Sequence, residues 1–465
     1  MTIGDENITA VFLLLILCFS ITHSTALQNQ TLTVTSLSAA SSLDDDFHLV
    51  ETETENLTSV SISLRLHHVD ALSLSSTPLQ LFHSRLRRDA SRVSAIDARV
   101  NRSKKTAFNS SVVSGLPHGS GEYFTRIGVG TPAKYAYVVL DTGSDVVWVQ
   151  CAPCKKCYSQ EDPVFDPSAS STFVGIPCQS LLCRSLDSAG CDSKNRVCLY
   201  EVSYGDGSFT FGEFSTETLT FRGTRVPGVA LGCGHDNEGL FVGAAGLLGL
   251  GRGRLSFPSQ TGHRFNQKFS YCLSDRTAPS RPSSLIFGEA SVSRVARFTP
   301  LMRNPTLNTF YYVQLLGFSV GGKMVSGISP DVFKVDRMGD GGVIIDSGTS
   351  VTRLTRLAYV ALKNAFLAGA SHLKRVRGYS LFDTCFDLSG KTEVKVPTLV
   401  MHFKGADVSL PAANYLIPVD DNSRFCFAFA PTASGLSIIG NIQQQGIRVI
   451  YDLANFRVGF GTGSC

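Results

Sequence analysis

The chain has 465 residues, 43% of them hydrophobic and 17% charged, with 42 Lys and Arg against 38 Asp and Glu for a formal net charge of +4. That length holds two domains plus processing segments, and so ordinary an apolar content excludes a chain too polar to bury a core. The near balance of charge gives no footing for a nucleic-acid partner.

Residues 10–21 are an apolar run followed by the small residues Ser24, Thr25 and Ala26. This is the pattern of a secretory signal peptide over 1–26, too short to span a bilayer. Asp5 and Glu6 stand where such leaders usually carry Lys or Arg, so an uncleaved signal anchor is the competing reading. Thirteen Cys include Cys18 in the leader; the even number that remains implies six disulfides in an exported chain. Residues 27–115 are rich in Ser and Thr, acidic at Asp44, Asp45, Asp46, Glu51, Glu53 and Glu55, then basic, with eight Lys or Arg between Arg85 and Lys105 against Asp89 and Asp97. Leu81, Phe82, Leu86, Val93 and Ile96 give the basic stretch a helical pattern. Its bland reading is a solvated linker. Glycosylation sequons at Asn29, Asn56, Asn101 and Asn109 all precede Gly121, so the chain beyond Gly121 is expected to be largely unglycosylated. Past Ser111 the chain carries 33 Lys and Arg against 27 Asp and Glu, a mildly basic body suited to acidic-polymer surroundings.

The body opens with an alternating strand, Gly121-Glu122-Tyr123-Phe124-Thr125-Arg126-Ile127-Gly128-Val129, ending in a Gly/Pro turn. Short β-rich runs between Gly, Ser and Pro punctuation continue nearly to the end, with one strong helical pattern at 356–367. The reading is an all-β protein. Two stretches stand out, Val138-Val139-Leu140-Asp141-Thr142-Gly143-Ser144 and Val343-Ile344-Ile345-Asp346-Ser347-Gly348-Thr349. In each, a strand delivers a carboxylate to a sharp Gly turn whose hydroxyls can hydrogen-bond it. One Asp-Thr-Gly is a common turn. Two copies 205 residues apart, each followed about a hundred residues later by an apolar-apolar-Gly run (Leu247-Leu248-Gly249 and Ile438-Ile439-Gly440), place one carboxylate in each of two lobes. Having both motifs in one chain excludes a protein that builds its site by dimerising, and a monomer is expected.

Other chemistries fare worse. Cys151, Cys154 and Cys157 have metal-cluster spacing, but the export signal favours disulfides over zinc; with Cys178, Cys183, Cys191 and Cys198 they form a dense patch. His235 beside Cys233 suggests a Cys-His nucleophile only if that thiol is free. The glycines at 249–253 lack the order of a phosphate loop. No transmembrane tail or lipid-anchor signal is present at Cys465, so stable membrane insertion is not expected.

From about Gly121 to Cys465 these motifs resemble the pepsin-type aspartic proteases, and within them the plant nepenthesin-like group. The resemblance implies a bilobal acid-protease fold: two β-barrel lobes, an N-terminal one over 120–298 with a cysteine-rich insertion at 151–198 and a C-terminal one over 299–465, with a central cleft and a flap hairpin. It implies catalytic roles for Asp141 and Asp346, supported by Thr142, Gly143, Ser144, Ser347, Gly348 and Thr349, with Ser144 and Thr349 bonding the outer carboxylate oxygens. The hairpin tip at 202–208 resembles the flap, with Tyr204, Gly205 and Asp206 over the substrate and Trp148, the only Trp, bonding Tyr204. Cys385 and Cys426 resemble the disulfide usual in the second lobe. Residues 27–115 become a prosegment: Leu64-Arg65-Leu66-His67-His68-Val69-Asp70 looks like that of the plant group, and the basic stretch would lie over the cleft carboxylates. The expected protein is a secreted aspartic endopeptidase made as a zymogen, acting on polypeptides without cofactor or metal, in the apoplast, cell wall or vacuole. Asp145 either shifts its pH profile or is simply solvated. The rival is a non-catalytic pepsin-like binding protein, such as the plant inhibitors of wall-degrading enzymes. Those commonly lose part of the catalytic set, which is complete here.

Overall fold

The computed structural model describes residues 28–37, 61–72, 76–102, 123–204, 208–239, 241, 243–274, 283–293, 295–421, 423–462 and 465. The signal-peptide, acidic-stretch, prosegment-junction and Gly205 and Asp206 assignments therefore lie outside the described residues, as do the Asn56 and Asn109 sequons.

Alternation builds the frame. Ile62, Leu64 and Leu66 are buried while the residues between them are exposed, so Ile62–His68 can join a six-stranded antiparallel sheet, and the last two residues of this strand pair on with Tyr123–Val129. The order of the sheet is Ile62–His68, Ser283–Phe287, Lys268–Cys272, Ile447–Asp452, Arg457–Thr462, Arg297–Met302. This sheet draws strands from both halves of the chain and joins the two lobes.

In the N-terminal lobe Tyr123–Val129, Lys134–Asp141, Gly246–Gly249, Trp148–Gln150, Thr224–Glu238 and Phe209–Phe221 pair in turn, and the last pairs back onto the first. The barrel so closed is filled by Ile127, Val138, Leu140, Leu219, Leu231 and Leu248, all buried. In the C-terminal lobe Tyr311–Val313, Val343–Ile345, Ser437–Ile439, Thr352–Thr355 and Phe429–Thr432 form one sheet, flanked by two four-stranded sheets. The helix Arg356–Gly369 turns Ala358, Leu362 and Phe366 inward, in line with the helical pattern at 356–367.

Both Asp-bearing strands run parallel to the apolar-apolar-Gly strands: Asp141 lies opposite Gly249 and Ile345 opposite Ile439. Each loop is thus gripped by a strand from about a hundred residues further on, and a loop held on both sides can keep a carboxylate at a fixed angle.

Six disulfides account for the twelve Cys: 151–233, 154–157, 178–191, 183–198, 272–465 and 385–426. Cys151 and Cys233 are thereby withdrawn from metal binding and from nucleophilic chemistry. Cys385 and Cys426 sit directly across from each other on neighbouring strands and close a loop of 41 residues. Replacing both by Ala is expected to cost about 4 kcal/mol by loop-closure entropy, read as an earlier unfolding midpoint in guanidinium; an unchanged midpoint would count against that account.

The described parts of 27–115 are packed, which rules out the solvated-linker reading for them. Asn29–Thr33 pairs with Glu393–Pro397. Pro78–Arg102 is a helix of 25 residues, far longer than its apolar pattern indicated. Its contacts explain why. Phe82 and Leu86 pack among Val351, Phe382 and Ile417, and Ile96 and Val100 pack among Phe310, Tyr312, Ile344 and Ile438. Between these apolar ends, Arg85, Arg88, Asp89 and Arg92 are all buried.

Candidate active site

The two loops meet. Asp141 is 1% and Asp346 0% exposed, and the loops that carry them are stitched together through their second residues. Ser347 N–H donates to Thr142 Oγ1 at 2.9 Å, and the Thr142 hydroxyl and N–H both donate to Ser347 Oγ, at 3.2 and 3.3 Å. Gly143 N–H donates to Asp141 Oδ1 at 2.8 Å and Gly348 N–H to Asp346 Oδ1 at 3.2 Å. A Cβ on Gly143 would stand 2.9 Å from Asp346 Oδ1, and one on Gly348 would stand 3.0 Å from Asp141 Oδ1. Only glycine lets the two loops approach this closely.

Arg92, on the helix Pro78–Arg102, lies between the carboxylates and bonds all four of their oxygens. Nη1 and Nη2 reach Asp141 Oδ2 and Oδ1 at 2.8 and 2.5 Å; Nε and Nη2 reach Asp346 Oδ2 and Oδ1, each at 3.0 Å. Burial alone would raise the Asp141 pKa, but the Arg92 charge and hydrogen bonds, with the Ser144 hydroxyl and the Gly143 amide, hold it below the ordinary carboxylate value. Burial likewise weakens the proton on Arg92, and the two carboxylates more than reverse this. A planar guanidinium with its donors in a fixed fork is suited to such a double bidentate contact.

Thr349 Oγ1 donates to Asp346 Oδ2 at 2.6 Å. Ser144 differs: its buried hydroxyl lies beside Asp141 and helps hold that carboxyl down, but makes no well-formed hydrogen bond among the described residues. Asp145 is half-buried and bonded to the protein. It accepts from Thr309 Oγ1 at 2.7 Å and Gly253 N–H at 2.8 Å, and burial raises its pKa. It ties the first Asp loop to Gly253 and Thr309 at the wall of the cleft.

Trp148 Nε1 donates to Tyr204 Oη at 2.8 Å, and both rings meet Phe241, at 5.0 and 6.0 Å between centroids. Tyr204 ends the strand Cys198–Ser203, which pairs antiparallel with Phe209–Phe221 to make a hairpin. Beside the helix remains a cleft of about 1170 Å³ bounded by Arg92, Gly143, Asp145, Tyr204, Thr309 and Phe310. Sequence reasoning grouped the eight cations of the basic stretch without singling out Arg92. The signal lay in helical spacing, since Arg85, Asp89, Arg92 and Ile96 recur every three or four residues and so share one face.

No helix among the described residues is long and apolar enough to cross a membrane. Family models described as xylanase inhibitor N-terminal and xylanase inhibitor C-terminal match residues 123–289 and 310–462. The chain is 68% identical over 414 residues to the protein named Aspartyl protease family protein 2 from Arabidopsis thaliana, covering 87% of this chain and 85% of that one. It is 40% identical to Aspartic proteinase nepenthesin-1 from Nepenthes gracilis, over 86% of this chain and 90% of that one. Among solved structures it resembles that of edgp with a TM-score of 0.60 and 23% identity, covering 73% of this chain and 91% of the other, a likeness of fold alone.

Proposed function

This chain belongs to the plant pepsin-like aspartic proteases and is an aspartic endopeptidase, and from that premise we propose that Asp141 and Asp346 form its catalytic dyad, that residues 27–115 are a prosegment holding it as a zymogen, and that it is exported. The observation that carries this reading is one guanidinium bonded to all four oxygens of two buried carboxylates. A site built to hold that much negative charge at one point is costly unless something uses it.

With the helix displaced, the cradle left by Arg92 holds a water. Two carboxylates this close cannot both ionise cheaply, so one keeps a proton. The ionised one takes a proton from the water, which attacks the peptide carbonyl; the protonated one hydrogen-bonds the carbonyl oxygen and later supplies the leaving nitrogen. The protons belong to the pair, so neither Asp has a fixed role. The substrate lies extended, bonded strand-like under the 198–221 hairpin. Tyr204 and Trp148 steady that flap. The leader at 10–21 and the six disulfides support export to the apoplast, cell wall or vacuole. The N-terminal lobe takes 120–298 and the C-terminal lobe 299–465, acting as a monomer. The binding-protein reading is not favoured, because the relatives at 40% identity and above are named as proteases.

The direct test is cleavage of an unfolded protein by the purified chain between about pH 3 and 7, with and without pepstatin. Activity that appears in acid and is lost to pepstatin supports the reading; a folded, processed chain that cuts nothing ends it. Trp148→Phe keeps an aromatic ring and removes the donor to Tyr204, so kcat/KM on a peptide substrate is expected to fall about tenfold, the worth of one hydrogen bond. An unchanged value would dissolve the flap pair.

A further inference from the structure

We propose that the mature cleft carries a carboxylate-recognition site, made by the backbone N–H groups of Ser350 and Val351 and the Arg353 guanidinium, which selects substrates with an acidic side chain at one fixed position beside the scissile bond. The proposal rests on the reading that the helix Pro78–Arg102 leaves on activation.

The site is seen occupied. Asp89 Oδ1 accepts from Ser350 N–H at 2.7 Å and from Val351 N–H at 2.8 Å, while Arg353 Nη2 bonds Asp89 Oδ2. Arg353 Nη1 donates to Val351 O at 3.1 Å, which fixes the guanidinium plane. Asp89 is 1% exposed and Arg353 6%. Asp97, half-buried on the same helix, also feels the Arg353 charge. The Ser350 hydroxyl is buried without a partner among the described residues, a further polar group at the same spot.

All of the receptor belongs to the C-terminal lobe, and its occupant belongs to the segment that departs. Once Asp89 is gone, two oriented amides and a guanidinium have lost the acceptor they were arranged around and face the open cleft, ready for another acceptor of the same shape. The cleft admits one recurrent visitor, an extended polypeptide. Among its side chains the carboxylates of Asp and Glu reproduce the Asp89 contact: one oxygen on two N–H groups, the other on a guanidinium.

The receptor also sits where a substrate would reach it. Thr349, which bonds Asp346, immediately precedes Ser350. Asp89 is three residues before Arg92 on the helix, a rise of about 4.5 Å, and an extended chain covers about 3.3 Å per residue. The acidic side chain would therefore lie one to three residues from the bond that is cut.

The test uses processed wild type and peptides identical except for Glu or Gln, exchanged in turn at each position flanking the cleaved bond. Assayed at about pH 5, above the ordinary Glu pKa of about 4.3, one position on one side should favour Glu over Gln about tenfold in kcat/KM, the scale of a charge-assisted contact. In Arg353→Met that ratio should fall to about one, and in Arg353→Lys part of it should return. The wild-type comparison stands even if a variant does not fold. Cleavage with no preference for Glu at any position, or a preference that survives in folded Arg353→Met, overturns this inference alone. A processed wild type that cuts neither peptide overturns the zymogen reading and this inference with it.

Discussion

Asp141→Asn is expected to leave a folded chain whose peptide-bond cleavage is slower by about a hundred- to ten-thousandfold, the range for loss of a positioned acid–base group, and Asp346→Asn should do the same. Neither carboxylate serves the fold alone: both are bonded by Arg92 and by the amide of the following glycine, and Asn keeps the shape and an acceptor oxygen. The double variant should be no slower than either single one, because a dyad with one amide already lacks the group that deprotonates the water. Steady-state rates on one peptide at saturating and limiting concentrations check this, with circular dichroism to confirm folding. A variant within threefold of wild type would place the chemistry elsewhere.

The meeting of the two Asp loops was legible because its signal is doubled and local. Strand, Asp, hydroxyl and Gly fall within seven residues, twice, and the partner strands at 246–249 and 437–439 carry their own apolar-Gly signature. The all-β frame was legible because burial alternates along strands such as Ile62–His68. The rest depends on contacts that sequence distance hides. Asp145 takes its partners from 108 and 164 residues away, so nothing beside it marks it as bonded. Disulfide partners are fixed by strand register, as Cys385 opposite Cys426 illustrates, and composition gives only their even number. Pro78–Arg102 was underread for a related reason: the middle of its buried face is charged, and a charged face looks solvent-bound until the opposing charges of Asp141, Asp346 and Arg353 are in view.

Arg92→Gln is expected to release the latch. Removing one member of a buried ion cluster typically costs about 3–5 kcal/mol, and in the closed form two carboxylates would be left facing each other without a cation. At about 1.4 kcal/mol per pH unit per proton, self-processing of the full chain should begin at least about two pH units higher than in wild type. The sign comes from the groups that face the helix. Asp141 is held below the ordinary carboxylate range despite its burial, so its stabilisation of the closed form is complete above that range and is lost as pH falls through the depressed value. Asp89 runs the other way, since burial raises its pKa in spite of Arg353 and the two amides, and so does Asp97; acid alone favours their staying docked. On the zymogen reading the acid trigger would therefore be the Asp pair beneath Arg92 and not the Asp89 contact. On opening, the freed pair takes back about one proton that Arg92 had excluded. In Arg92→Gln the closed pair already shares that proton, so the dependence of processing on pH should flatten as well as shift. The disappearance of unprocessed chain on a gel across the acid range reads both effects. An Arg92→Gln profile that overlays wild type in midpoint and slope would mean that the guanidinium does not hold the cleft shut.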